Sequence, residues 1–243
     1  MGDDRIRVYY DFHIHSALSP CADNDMTPNN IVNMAKLKGL DAIALTDHNC
    51  AANIEATAAC ARQAGLVFLP GMEVETAEEV HVLALFDTPR ACLSLQAYLD
   101  EAMVPVKNRK EIYGEQLILD EYDQIVGEHE PLLVTARMRS VYEVVDAILI
   151  RGGAAVAAHI DRSSYSVLSN LGTLPEDLAF CALEVSAAGD IAALKGQHPG
   201  LAGHRLLTSS DAHNLGALSE RSHCLMLETN SASAIISYLR GGL

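Results

Sequence analysis

Apolar residues along this 243-residue chain recur in short runs that stop at polar side chains, and between those runs the apolar spacing becomes helical. Residues 6–10 are rich in β-branched and aromatic side chains and predict a first strand. Thr27-Pro28 then has the form of a helix start, with Thr as N-cap and Pro at the first helical position. Ile31, Met34, Ala35 and Lys38 follow at helical spacing, and Gly39 ends the element. Residues 41–48 predict a second strand, 53–64 an alanine-rich helix closed by Gly65, and 66–74 and 80–86 two further strands. Ser140-Val-Tyr-Glu143 is a capping box for a helix running through Ile150 and stopped by Gly152-Gly153. Strands are expected again at 154–161, 182–186, 206–213 and 224–229, and Ser231 caps a last helix through Leu239. Strands alternating with helices imply βα units and a mainly parallel sheet.

One segment interrupts the rhythm. Over residues 107–133, Glu111, Glu115, Asp120, Glu121, Asp123, Glu128 and Glu130 interleave with Ile112, Leu117, Ile118 and Ile125. It reads either as a solvated helical excursion or as a small lid that shapes access to a site. No repeat or linker divides the chain, so residues 1–243 are expected to form one domain carrying this insertion.

Chemistry gathers where the predicted strands stop. His13 and His15 lie two apart on one strand and so face the same way, which lets two imidazoles grip one metal ion. Asp47 and His48, Glu73, His81, His159 and Asp161, and Asp211 and His213 occupy equivalent places, and together they hold six of the ten histidines. In α/β folds the carboxyl ends of the strands form the face on which sites are built. Asp211 and His213 repeat the same-face spacing of the first pair. Glu73 follows Pro70-Gly71, where the missing side chain lets backbone approach closely, and a carboxylate there can bridge two cations. A catalytic zinc takes three protein ligands and a water, so this many donors implies two or three ions. Nitrogen and oxygen donors without thiolate suit Zn, Mn or Fe over Ca or Mg. Asp47, pointing away from His48 on a strand, and Asp11, one step deeper than His13, are expected to support the site from behind.

Composition narrows the partners. Seventeen Lys and Arg stand against 32 acidic residues, a net charge of −15, which argues against binding long nucleic acid but admits a small phosphorylated substrate. The six cysteines show no Cys-x-x-Cys spacing and are expected to be reduced thiols. No apolar run reaches the ~18 residues that span a bilayer, and no signal peptide is visible, so a soluble cytoplasmic protein without a membrane partner is expected. The oligomeric state is not legible in the sequence.

Read in order, Asp11-Phe-His-Ile-His-Ser16, Thr46-Asp-His48, Pro70-Gly-Met-Glu73, Val80-His81, Ala158-His159 and Ser210-Asp-Ala-His213 resemble the motifs of the PHP (polymerase and histidinol phosphatase) domain family of metal-dependent phosphoesterases. The resemblance implies an α/β fold, a distorted (β/α)7 TIM-like barrel, with a trinuclear metal centre at its strand ends. Carried over by motif, the ligands are His13, His15, Asp23, His48, Glu73, His81, His159, Asp211 and His213. Asp23 is preferred to Asp25 because its offset from Thr27-Pro28 matches the family, although this chain lacks the Ser-Asp-Gly many members carry there. Ala158-His-Ile-Asp161 also departs from the Ala-His-Pro of many members, which leaves open what the following loop contacts.

Such a centre needs no Ser or Cys nucleophile and no catalytic side chain beyond the metal-bound hydroxide, because water between cations loses its proton near neutral pH. His204 and His223 are candidates for protonating a leaving group. A phosphate calls for guanidinium groups: Arg162 first, then Arg137 and Arg139, with Lys107 and Arg109 behind them. The expected function is hydrolysis of phosphate esters of a small metabolite or nucleotide, of the phosphomonoesterase, nucleotide 3′,5′-bisphosphate phosphatase or short-oligonucleotide exonuclease type. The alternatives are a histidinol-phosphatase-like enzyme, a C–N or carboxylic ester hydrolase of amidohydrolase type, and a non-catalytic metal-stabilised domain. The last is opposed by all nine ligand positions being filled.

Overall fold

A computed structural model describes residues 5–241. The first half of the chain runs β1 (Ile6–Asp11), α1 (Pro28–Leu37), β2 (Ala42–Leu45), α2 (Ile54–Ala64), β3 (Val67–Glu75), β4 (His81–Leu85) and α3 (Pro89–Asp100). The inserted segment forms α4 (Lys110–Tyr113), β5 (Leu117–Leu119) and β6 (Ile125–Glu128). The second half runs α5 (Val141–Ile150), β7 (Ala154–Ala157), α6 (Val167–Leu171), β8 (Ala182–Ser186), α7 (Ile191–Gln197), β9 (Leu206–Ser209), β10 (Cys224–Leu227) and α8 (Ala232–Leu239).

The predicted helix starts are realised by their caps. Thr27 accepts from the Asn30 N–H, Ser140 and Glu143 form the full capping box, and Ser231 accepts from the Ala234 N–H. Gly65 ends α2 in the left-handed conformation that glycine adopts at least cost. Among the described residues no helix is long and apolar enough to cross a membrane.

Eight strands form one sheet in the order β10-β1-β2-β3-β4-β7-β8-β9. It curls until its far strands meet: Ile14, past β1, forms a parallel bridge with Ala212, past β9. His15 N–H donates to Ala212 O (2.9 Å) and Ala212 N–H to His13 O (3.2 Å). The result is the expected distorted barrel of seven strands, with β10 added outside β1. The expectation of a mainly parallel sheet holds on its two wings, where β1, β2 and β3 and then β7, β8 and β9 are parallel. It fails in the middle, where β4 is antiparallel to both β3 and β7. The reason is length: only residues 76–80 join β3 to β4, and a parallel return needs a dozen or more.

Alternate strand residues go to opposite sides, as a period of two requires. Val8, Tyr10, Ala42, Ala44, Leu83, Leu85, Ala154 and Val156 pack with Ile235, Ile236 and Leu239 of α8. Ile43, Leu45, Val82, Ala84, Ala155 and Ala157 pack with residues of the outer helices such as Ile31, Ile54, Leu95 and Val145. Burial on both faces explains why these strands read as continuous apolar runs. Helix α8 lies where β7 and β9 begin: Arg240 donates to Gly153 O (2.7 Å) and Arg205 to Leu239 O (2.9 Å).

The insertion is not a helical excursion. Its one helix has four residues, and the rest is an antiparallel hairpin. Buried Asn53 ties it to the barrel, donating to Leu117 O (3.1 Å) and accepting from Leu119 N–H (2.9 Å), while Leu117 and Leu119 pack on Ala17. Ile125 and Val126 on β6 stay exposed.

Candidate metal centre

β1 delivers His13 and His15 fully buried. The Asp11 carboxylate below them accepts from the backbone N–H groups of Ser210 (3.0 Å) and Ser219 (2.8 Å), tying β1 to the loop that carries Asp211. His13 Nδ1–H is held by Glu184 Oε1 at 2.9 Å. His15 Nδ1 lies 3.0 Å from Ser19 Oγ, whose hydroxyl donates to Asp47 at 2.7 Å, so the ring is the donor. With their Nδ1 atoms occupied, both rings present Nε2 inward. His13 Nε2 is 3.3 Å from Glu73 Oε1 and 3.2 Å from Asp211 Oδ1. His15 Nε2 is 3.3 Å from Glu73 Oε2 and 3.2 Å from the same Asp211 oxygen.

Glu73 is the hub. It lies within β3 rather than at its end, and Pro70-Gly71 is where that strand leaves β2 to pair with β4. A Cβ on Gly71 would come 3.0 Å from both Ala84 O and Leu45 O, so a side chain there would crowd the backbone on both flanks. His48 bridges to Glu73 in register, with Nδ1 3.1 Å from Oε2. His81 Nδ1 and His159 Nε2 approach Oε1 at 2.8 and 3.1 Å. His81 opens β4 instead of closing it and reaches this rim because β4 runs antiparallel. His213 stacks on His15 with ring centroids 4.2 Å apart.

The donors fall into three overlapping groups: His13, His15, Glu73 and Asp211; His48, Glu73 and His81; His15, His48 and His213. His13 Nε2, His15 Nε2, His48 Nδ1, His81 Nε2, His159 Nδ1 and Asp211 Oδ1 are buried without a hydrogen-bond partner. Buried polar atoms are normally paired, and imidazole and carboxylate lone pairs turned toward one another fit divalent cations. The charges agree. Burial alone would lower His13, but Glu184, Asp211 and Glu73 hold it well above its ordinary value. His15 is raised to about 9 against burial by the Asp211 and Glu73 carboxylates 3.2 and 3.3 Å from its Nε2, whereas burial and repulsion from His15 drive His213 down to about 4. Glu73, against burial, is held low by His81, His13 and His48.

The rim is backboned unusually. Asn49, His159, Tyr165 and Asp211 all have positive φ, an arrangement that costs on the order of 1–3 kcal/mol each and concentrates at functional sites.

Other expected residues lie elsewhere. Arg162 reaches the cluster, with Nη2 2.7 Å from Asp211 Oδ2. Arg137, expected at the phosphate, is instead fully buried and donates to Asn49 O (3.1 Å), so what it holds is the turn after His48. Asp23 is exposed, its carboxylate belongs to none of the three groups, and its backbone N–H donates to His213 O (2.8 Å). His204 and His223 are outside the stacked histidines, and His223 O accepts from Tyr10 N–H at the β10 edge. Glu184, which also accepts from the His159 N–H (3.1 Å), was not among the expected site residues. Its signal was a lone carboxylate inside the apolar run 182–186. Ser19 offered no such signal.

A PHP-domain sequence profile matches residues 11–151, more than half of the chain. The chain belongs to the PHP-domain family. The profile ends before β7, so His159, Asp211 and His213 lie beyond it and rejoin the PHP motifs through the fold. The chain is 35% identical over 78 residues to a 3′,5′-nucleoside bisphosphate phosphatase of Chromobacterium violaceum, a stretch covering 31% of this chain and 26% of that protein. It is 32% identical over 79 residues to a 5′-3′ exoribonuclease of Haemophilus influenzae, covering 31% and 28%. The matched stretches thus span little more than a quarter of either relative. Among solved structures, a lesion-specific endonuclease of Pyrococcus furiosus superposes with a TM-score of 0.72 at 18% identity, over 97% of this chain and 56% of that one, which shows a shared fold.

Proposed function

We propose that this PHP-domain chain is a metal-dependent phosphoesterase acting on a small phosphorylated metabolite or nucleotide. The carrying observation is the cluster of five buried imidazoles around Glu73 and Asp211, with His213 at its rim, in which each buried ring keeps one nitrogen without a hydrogen-bond partner. In this reading His13, His15, His48, Glu73, His81, His159, Asp211 and His213 hold two or three divalent ions of Zn, Mn or Fe, and Asp23 is the ninth donor, at the rim. Cations so bound acidify a water and neutralise charge on phosphoryl oxygens. Glu73 spans the donor groups with its two oxygens, and Glu184 and Ser19 fix which nitrogen of His13 and His15 faces inward. Arg162 is the phosphate-binding residue. Its guanidinium is half-exposed beside Asp211, free to meet a dianion, and this favours phosphate esters over carbonyl substrates.

The net charge of −15 supports a short substrate over a long strand. The activities for which the two relatives are named, on nucleoside bisphosphates and RNA, support a nucleotide over an amino-alcohol phosphate. The whole chain is read as one barrel domain, with residues 107–133 as a hairpin flanking the site. Replacing His13 with Ala should abolish turnover across a panel of phosphate esters and lower the bound metal. Retained turnover would refute the assignment.

A further inference from the structure

The loop between β7 and α6 carries an aromatic side chain that the metal donors leave unused. Tyr165 stacks on His81, with ring centroids 4.8 Å apart and planes 27° from parallel, yet the residue remains 45% exposed. One face of the ring is therefore against a donor of the cluster and the other is turned to solvent. Its backbone has φ +56°, a left-handed conformation uncommon for a bulky residue. Neighbours on both sides hold it there. His81 N–H donates to Tyr165 O at 3.0 Å. The next residue, Ser166, caps α6 by accepting from Ser169 N–H (3.1 Å) and donates its hydroxyl to Arg162 O (2.8 Å).

Strained backbone held in place from several sides is characteristic of ligand clamps. A ring whose only task was to cover His81 could do so buried, in ordinary backbone. Arg162, three residues earlier on the same loop, places a half-exposed guanidinium 2.7 Å from Asp211. The loop thus offers a cation at Asp211 and an open aromatic plane at His81, both at the edge of the donors.

We infer that Tyr165 is a stacking platform for a nucleobase, so that the substrate class of this site is nucleotides. The phosphate lies at Arg162 and the donor cluster, and the base lies on the open face of Tyr165. This rests on the phosphoesterase reading and adds to it the class of substrate. Base–aromatic stacking tolerates any base, so the site should discriminate little among the four.

The test compares a nucleoside monophosphate with ribose 5-phosphate, which lacks the base, as substrates of the metal-loaded protein. Tyr165→Ala should raise KM for the nucleotide between about fivefold and a hundredfold. The kcat, the KM for ribose 5-phosphate and the metal content should not change, and Tyr165→Phe should behave as wild type. Tyr165→Asn, which tolerates the left-handed backbone, separates loss of the ring from backbone strain and should match Ala. Equal effects on both substrates would overturn the inference and leave the phosphoesterase reading intact. Loss of metal in the Ala and Asn variants would also overturn it, making Tyr165 a positioning residue for His81. If the wild type turns over neither compound nor any other phosphate ester, both readings fail.

Discussion

Where β1, β2 and β7 begin, Val8, Ala42 and Ala154 pack against Ile235, Ile236 and Leu239 of α8. Where the same strands stop, His13, His48 and His159 converge on Glu73. The first end is close-packed hydrocarbon, and burying each large aliphatic side chain there contributes roughly 1.5–3 kcal/mol. The second end buries carboxylates and imidazoles and holds Asn49, His159 and Asp211 in left-handed backbone, each of which costs stability. One end stabilises the barrel so that the other can hold an arrangement unfavourable on its own. Stability and metal binding should therefore respond to separate substitutions.

The largest effect should come from the apolar end. Ile235→Ala, at a fully buried position of α8, should cost about 2–5 kcal/mol and lower Tm by roughly 4–20 °C. Metal bound per folded molecule, read by titration below the transition, should not change. A matching loss of metal affinity would mean the two ends are not separable.

Next is Glu184→Gln, which removes the charge behind His13 while leaving an oxygen to accept from Nδ1. Metal affinity should fall about 10- to 100-fold, or roughly 1.4–2.7 kcal/mol. Isothermal titration with Zn or Mn checks this, and an unchanged Kd would remove Glu184 from the site.

Per pH unit the smallest effect is that of pH, about 1.4 kcal/mol for one displaced proton. With His13 and His15 raised, the latter to about 9, both rings carry protons at pH 7 when no cation is bound. The His15 proton stabilises the metal-free fold fully below the ordinary histidine value of 6.5, and that stabilisation is lost as pH rises through about 9. Binding a cation at His15 displaces its proton, so affinity should climb by about 1.4 kcal/mol per pH unit from this ring until pH reaches about 9. Proton release on metal addition, followed with an indicator dye, should fall away above that pH. Metal uptake without proton release would contradict the charge arrangement.

Much of the molecule was legible as text because its local chemistry is unambiguous. Thr27-Pro28, the Ser140–Glu143 box, Gly65 and Ser231 each satisfy or end a helix within a few residues, so those boundaries needed no tertiary knowledge. Period-two spacing likewise put His13 with His15, whereas Asp211, in left-handed backbone beyond β9, and His213 enter different donor groups. The insertion was harder: its acidic residues suggested a solvated helix, but Asn53, more than sixty residues away, pairs with the backbone of β5 and steadies a hairpin. A long-range partner of that kind leaves no mark in the segment's own spacing.

The sequence by itself thus determined the eight strands of the main sheet, four of the helices, the donor types and their order along the chain, because those depend on contacts within one turn or one strand; α3, α6, α7 and the β5–β6 hairpin were not legible in it. Only the tertiary structure decided that β4 runs backward, which brings His81 from the start of its strand to the same rim as His159 at the end of its own. It also decided that Arg162 meets Asp211 while Arg137 is buried beneath Asn49, and that Glu184 stands behind His13. Strand direction and the filling of space between elements depend on residues distant in sequence, and one-dimensional spacing carries no term for them.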